Sequence, residues 1–271
     1  MYDKEDFMST RMAQMEAIIR EAGNFFSYAI DERETIRKEG TANFATQVDF
    51  LVQDFLVEKL SEMIPGSNII TEESDDNQYH LTRPTWILDP VDGTINFAHH
   101  FHHSAISLAL FEENRPDMSV IYNPTADEMF TAEWGKGAFL NGVPIYASSL
   151  PVLNECLLLF GTTPYHREKA KESFNLAQCF FMKCQDIRRS GSAALDIAYI
   201  AAGRADGFFE MNLQPWDYAA GMLLLKEAGG SITRWNGEPL SVLSPGSVLA
   251  TNGFVHEEML QVISTSYRSD E

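Results

Sequence analysis

Trp86-Ile87-Leu88-Asp89-Pro90-Val91-Asp92-Gly93-Thr94 reads as a short buried strand that ends in reactive groups. The run from Trp86 to Leu88 is apolar, and Pro90 removes a backbone donor, so the strand must stop or bend there. Asp89 and Asp92 flank that proline. Ionising both is costly unless a hard cation lies between them, and Mg²⁺ is the usual cation for an oxygen-only site. Gly93 permits close backbone approach, while Thr94 offers a hydroxyl and an N–H to an anion. A solvated turn uses the same residue types, so the segment by itself is open to either reading.

At 271 residues with 45% hydrophobic content, the chain can bury a substantial core as one large domain, residues 1–271, or as two intimate lobes. The formal charge of −19 argues against nucleic acid or an anionic membrane as a partner, because both require clustered Lys and Arg. If the substrate is a phosphate, a chain this acidic needs bound cations to offset repulsion. Cys156, Cys179 and Cys184 are odd in number and lack the paired spacing of a zinc site. That pattern argues against a disulfide framework and fits a reducing compartment, so the expected localisation is cytoplasmic. No basic segment precedes an apolar run at the start of the chain, and no run reaches the length of a membrane span.

Apolar residues recur at helical spacing from about Asp6 to Ile30 and again from Val48 to Leu60, where Pro65-Gly66 closes the element. Asn68-Ile69-Ile70-Thr71 reads as a strand delivering Glu72 and Glu73 to its end, followed by a mobile loop at Asp75-Asp76-Asn77. Strands are expected at 105–111, 118–122 and 128–134, with a hairpin turn at Asn141-Gly142. Gly135-Lys136-Gly137-Ala138 lacks P-loop spacing and reads as a turn. After about Ser148 the pattern changes, which suggests lobes at 1–147 and 148–271. The second holds a strand at 156–160 and helices at about 168–180, 192–202, 218–228 and 256–266, the third stopped by Gly229-Gly230.

Glu72, the Asp89 and Asp92 pair, and Asp217 after Pro215-Trp216 all end apolar strands or open helices. Carboxylates so placed point to the rim of a layered α/β fold, where rigid elements position chemistry, and together they could hold two or more metal ions. Taken singly, Asp217 reads more readily as a helix N-cap and Glu72 as an exposed loop acid; it is their combination that points to a site.

These residues resemble the inositol monophosphatase family, part of the superfamily of Mg²⁺-dependent, Li⁺-sensitive phosphatases that includes fructose-1,6-bisphosphatase. The motifs that carry the resemblance are Glu72-Glu73-Ser74, Trp86-x-x-Asp89-Pro90-Val91-Asp92-Gly93-Thr94-x-Asn96-Phe97, and Pro215-Trp216-Asp217-x-x-Ala220-Gly221 followed by Glu227-Ala228-Gly229-Gly230. Ala45-Thr46-Gln47-Val48-Asp49, Gly135-Lys136-Gly137-Ala138-Phe139-x-Asn141-Gly142 and Arg189-Ser190-Gly191-Ser192-Ala193-Ala194 are also similar, and the order spans nearly the whole chain. The resemblance implies an α-β-α-β-α sandwich of sugar-phosphatase type with mixed and antiparallel sheets. It implies that Glu72, Asp89 and the Val91 carbonyl hold one Mg²⁺, that Asp89, Asp92 and Asp217 hold a second, and that Glu72 serves a weaker third. It implies hydrolysis of inositol monophosphate by a metal-activated water oriented by Glu72 and Thr94, with Asp49 paired to that threonine. Asp92, Gly93 and Thr94 would meet the phosphate, while Ser192, Ala193, Glu210 and Asp217 would face the leaving group. A homodimer is implied as well.

Departures from the family pattern bear on the substrate. Many relatives carry a single histidine and a Phe-Pro pair after the stretch matching Asn96-Phe97, whereas here the run is His99-His100-Phe101-His102-His103, readable as a transition-metal cluster or as a partly exposed loop. The usual glycine before the Glu pair is Thr71, and the second threonine of the aspartate motif is Ile95; neither change removes a ligand. Arg188-Arg189 could serve a second phosphate or form a surface pair. The same chemistry on fructose-1,6-bisphosphate, adenosine 3′,5′-bisphosphate or the 2′-phosphate of NADP(H) is therefore an alternative, and a non-catalytic scaffold is a remoter one.

Overall fold

The computed structural model describes residues 10–28, 35–39 and 43–268. Helix α1 (Thr10–Gly23) and the single turn α2 (Phe25–Tyr28) open it, followed by the antiparallel ribbon of β1 (Thr35–Glu39) and β2 (Asn43–Thr46) and by helix α3 (Gln47–Met63). Next come β3 (Asn68–Thr71), β4 (Thr85–Asp92), the short helix α4 (Thr94–Ala98), β5 (Ala105–Glu112), β6 (Arg115–Asn123), β7 (Glu128–Glu133), β8 (Gly137–Leu140) and β9 (Val143–Ile145). These strands form a seven-stranded sheet in the order β3-β4-β5-β6-β7-β8-β9, with only β3 and β4 parallel.

Beyond it lie β10 (Leu157–Phe160), α5 (Ala170–Phe181), β11 (Asp186–Arg188), α6 (Ala193–Ala201), β12 (Gly207–Leu213), α7 (Pro215–Glu227), β13 (Ser231–Thr233), β14 (Gly246–Thr251) and α8 (His256–Arg268). Their strands make a mixed five-stranded sheet in the order β11-β10-β12-β14-β13. The two sheets and their helices stack as α-β-α-β-α. Helices α1 and α3 cover one face of the larger sheet, α6 and α7 lie between the sheets, and α5 and α8 cover the far face of the smaller one.

β4 shows why its sequence is a continuous apolar run. Trp86 and Leu88 join the core under α1 and α3, whereas Ile87 joins the core shared with α6 and α7, so the strand is covered on both faces. In the first core Met12, Met15 and Ile19 of α1 and Leu56 and Leu60 of α3 are fully buried. The third, between the smaller sheet and its outer helices, is built on Phe180, Phe209 and Met259.

Two expectations are corrected here. The opening helix is interrupted at Asn24 rather than continuous: Gly23 and Asn24 both disfavour helix, and a Cβ at Gly23 would lie 2.6 Å from the Tyr122 ring, so close packing fixes the weak spot. The parts of that expected helix at 6–9 and 29–30 lie outside the described residues. The Asp75-Asp76-Asn77 segment is a pinned turn, since Asn77 accepts from Thr71 N (2.9 Å) and donates to the carbonyls of Thr71 (2.7 Å) and Ser74 (3.0 Å). At Gly135-Lys136-Gly137 the turn reading holds, and the Gly135 and Gly137 N–H groups grip the Glu227 carboxylate at 2.9 and 3.0 Å.

Helices α6 and α7 pack closely at Gly221, where a Cβ would lie 2.7 Å from Ile197 Cγ2 and 3.0 Å from its Cβ. Gly221→Val forces the pair apart and is expected to lower unfolding free energy by about 1–3 kcal/mol, measured by urea denaturation.

Candidate active site

β4 bends at Pro90 without stopping. Asp89 pairs with Ser107 and Asp92 with Ala105, so three steps along β4 oppose two along β5, and the extra residue is a bulge. In a regular strand, side chains three apart point to opposite faces; the bulge brings Asp92 round to the side of Asp89. The Val91 N–H donates to Asp89 Oδ1 at 3.0 Å, which holds that carboxylate at the bend.

Asp217 arrives from α7. Pro215 occupies the first turn, where its missing N–H costs nothing, and Gln214 is the N-cap. Asp217 is thus not the N-cap: it is the third helical residue, and its Oδ2 accepts from Gln214 N at 2.7 Å. Asp89, Asp92 and Asp217 each place a carboxylate oxygen within 4.8 Å of the others, the only such group of His, Cys, Asp or Glu among the described residues. Glu72, just after β3, is half-buried and lines the same cavity; it stands outside the 4.8 Å group, but its charge is the strongest neighbouring influence on Asp89.

Helix α6 grips Asp92. Ser192, its N-cap, donates its hydroxyl to Asp92 Oδ2, and the Ala194 N–H donates to the same oxygen at 2.9 Å. Ser192 and Ala193 both line the cavity, so the Ser192 hydroxyl serves Asp92 as well as the wall. Gly93 takes φ 87°, and a Cβ there would press within 3.1–3.3 Å of His103 O, Gly191 O and Ser192 Cβ. Thr94 opens α4, and its hydroxyl reaches the Val91 carbonyl (3.0 Å) and Asp49 Oδ1 (3.3 Å). Asp49, buried in the first turn of α3, also accepts from the Thr46 N–H (2.7 Å) and the Thr46 hydroxyl. The structure therefore joins Asp49 to Thr94, as the motif pairing implied.

Glu210 on β12 is 8% exposed and accepts from the Thr163 N–H at 2.8 Å. A Cβ on Gly161 would fall 1.7 Å from its Oε2, so a larger residue there would displace the Glu210 carboxylate. Asp196 of α6, whose side chain accepts from Ser190 Oγ, is a further buried acid on the wall. Gly161, Thr163 and Asp196 escaped the sequence reading. The signal available for Asp196 was one acid in the otherwise apolar helix Ala193-Ala194-Leu195-Asp196-Ile197-Ala198.

Among the described residues, six carboxylates, Glu72, Asp89, Asp92, Asp196, Glu210 and Asp217, line this cavity, with Arg189 and His166 as their only basic neighbours. Burial and mutual repulsion push Asp89 and Asp217 well above the usual carboxylate range. Burial lifts Asp92 to about 6, with its bonds from Ser192 and α6 holding it down, and lifts Asp49 and Glu210 to about 7. Two charges about 4 Å apart repel by about 4 kcal/mol at an effective dielectric of about 20, more than one charge-assisted hydrogen bond returns. A donor set of clustered carboxylate oxygens is the chemistry a hard divalent cation takes, so these residues fit Mg²⁺.

Among the described residues, the four histidines form no group of three possible metal ligands with one another or with acids or thiols. His103 packs its ring edge-on against Tyr199 at 5.6 Å, with its pKa lowered by burial, and His100 and His102 line a separate pocket. The arginine pair divides: Arg188 is an exposed partner of Asp186, whereas Arg189 lines the cavity.

A bulged strand and two helix starts that gather acids between stacked sheets define a sugar-phosphatase type of architecture. The model of the inositol monophosphatase family matches residues 5–268, and the chain belongs to that family. It is 38% identical over 243 residues to the Nus factor SuhB of Escherichia coli K12, covering 89% of this chain and 91% of that protein. It is 36% identical over 245 residues to the inositol-1-monophosphatase of Bacillus subtilis, covering 90% and 92%. The solved IMPase of Thermotoga maritima superposes with a TM-score of 0.86 at 31% identity, covering 96% of this chain and 99% of that one.

The raised acids set the pH response of the ion-free protein. Unfolded carboxyls release protons near pH 4, while the folded chain holds them to about 6 at Asp92 and about 7 at Asp49 and Glu210. Their contribution to stability is full below about pH 4 and is lost as pH rises through those values. The thermal midpoint of the protein in chelator is expected to fall between pH 5 and 7.5, and added Mg²⁺ to raise it more at pH 7.5 than at pH 5, by differential scanning fluorimetry.

Proposed function

We propose that the chain is a Mg²⁺-dependent phosphomonoesterase that hydrolyses inositol monophosphate to inositol and phosphate. The observation that carries this reading is the convergence of Asp89, Asp92 and Asp217, with Glu72 on the same cavity. Family membership and the likeness to the Bacillus subtilis inositol-1-monophosphatase support the choice of substrate. Two or three Mg²⁺ held by Glu72, Asp89, the Val91 carbonyl, Asp92 and Asp217 would supply Lewis acidity and neutralise charge on the phosphoryl group.

The remaining work falls to the chain's own groups. The backbone N–H groups of Gly93 and Thr94, at the start of α4, hold phosphoryl oxygens, and the left-handed turn at Gly93 lets the ester approach the backbone. Thr94 Oγ1 orients a water with Glu72, and its own proton has a place to go, since Asp49 Oδ1 lies 3.3 Å away and titrates at about 7. Asp217 stands by the departing oxygen and, with Ser192, Ala193 and Glu210, frames the alcohol. Glu210 accepts from an alcohol hydroxyl with the carboxylate that Thr163 holds in place.

A cytoplasmic homodimer inhibited by Li⁺ completes the proposal. No helix among the described residues is long and apolar enough to cross a membrane. Light scattering showing only monomer would remove the dimer from it. The relatives named Nus factor SuhB bring a second reading, a binding role with no turnover. Against it stands the crowded ligand set, which only a bound cation makes stable to ionise.

Free-phosphate release from inositol 1-phosphate, fructose-1,6-bisphosphate, adenosine 3′,5′-bisphosphate and NADP decides among these. The expected result is Mg²⁺-dependent release, fastest from inositol 1-phosphate. No release from any ester sinks the enzyme, and release from nucleotides alone replaces the substrate. Asp89→Asn is expected to stay folded while losing at least about a hundredfold in kcat/KM, the scale of one lost transition-state electrostatic contact. Wild-type turnover in that variant would refute the ligand role of Asp89.

A further inference from the structure

Among the described residues, Arg189 is the only Arg or Lys that lines the cavity. Its charge eases ionisation of both Glu210 and Asp196, so it lies within electrostatic reach of the two acids on the leaving-group side. No hydrogen bond or ion pair among the described residues engages its guanidinium, whereas the neighbouring Arg188 is spent on Asp186. A guanidinium carries five donors in a rigid fork, and all of these remain available to a ligand.

The loop beneath it is built around the fork. Gly191 has φ 95°, and a Cβ there would lie 2.6 Å from Arg189 Nη1, so the guanidinium rests against bare backbone. Asn96 Nδ2 donates to Ser190 O at 2.9 Å and to His103 O at 2.8 Å, and the Ser190 hydroxyl is fixed on Asp196. The arginine therefore springs from a segment anchored on both sides, and Ser192, three residues on, grips Asp92.

We propose that Arg189 is a specificity-determining residue of this site, donating to one hydroxyl oxygen of the leaving alcohol while Glu210 accepts from the adjacent hydroxyl, so that esters of vicinal polyols are selected. The inference rests on the phosphatase reading and deepens it. A hydroxyl both donates and accepts, so a vicinal pair matches an arginine beside a carboxylate without adding charge. A second phosphate brought to Arg189 would also meet Glu210 and Asp196, two acids against one cation. A site built for hydroxyls discriminates strongly against analogues that lack them, because its polar groups are then left unpaired.

The test compares wild type, Arg189→Ala and Arg189→Lys on myo-inositol 1-phosphate and on p-nitrophenyl phosphate, which has no hydroxyls. Arg189→Ala is expected to lower the ratio of the two kcat/KM values by about 10- to 100-fold, and Arg189→Lys to lower it less. An unchanged ratio overturns the proposal, as does a loss confined to adenosine 3′,5′-bisphosphate, which would make Arg189 a phosphate reader. Calorimetric titration with a non-hydrolysable inositol 1-phosphonate and with methylphosphonate, in Mg²⁺, separates this inference from the phosphatase reading. If wild type hydrolyses no ester, that reading falls. Arg189 keeps its role only if Arg189→Ala loses more affinity for the inositol phosphonate than for methylphosphonate. Equal losses, or no binding of either by wild type, overturn it.

Discussion

Pro90 cannot donate a ladder hydrogen bond, and the β4–β5 pairing absorbs this by setting an extra residue of β4 against β5. That one irregularity decides where the charges lie. With regular pairing Asp89 and Asp92 would face opposite sides of the sheet; with the bulge they share a side, and α7 can close the group with Asp217. Everything else at the site answers the resulting repulsion. The N-terminus of α6 and the Ser192 hydroxyl offset part of the charge on Asp92, and Val91 N does so for Asp89. What these bonds leave uncompensated is the reason the site suits a divalent cation.

The two middle helices do more than fill the space between sheets. Each begins at the cavity: α6 with its Ser192 cap on Asp92, α7 with the Gln214 and Asp217 pairing. Their apolar lengths then run into a core shared with Ile87 and Phe130 of the larger sheet and Phe208 of the smaller. Chemistry at the helix starts and packing along the helix bodies are thus secured by the same contacts. Close approach at Gly221 and Ile197 sets the spacing of the two starts.

Strong local patterns were legible in the chain. β4 could be read because burial on both faces leaves an unbroken apolar run, and the acids at element ends because Pro, Gly and periodicity mark those ends. The break at Asn24 could not, since it depends on Tyr122 packing nearly a hundred residues away. Glu210 resembles an edge-strand acid in isolation; it is buried because β12 lies between β10 and β14, a pairing order the chain does not announce. Gly161 and Thr163 gain meaning only beside Glu210, and Asp196 only beside Ser190. The bulge was half legible: proline signalled an irregularity, but only the register with β5 shows which way the carboxylates turn.

The larger sheet is complete at Ile145, yet the helices that cover its inner face begin at Ala193 and end at Glu227. During synthesis from the N-terminus, Ile87, Ala109, Ile121 and Phe130 are therefore made long before their partners in the shared core. The first half of the chain can pair its strands and seat α1 and α3, but it presents a bare apolar face until nearly fifty more residues, and then α7, have followed. The corner where Asp89, Asp92 and Asp217 meet is complete only once α7 has docked.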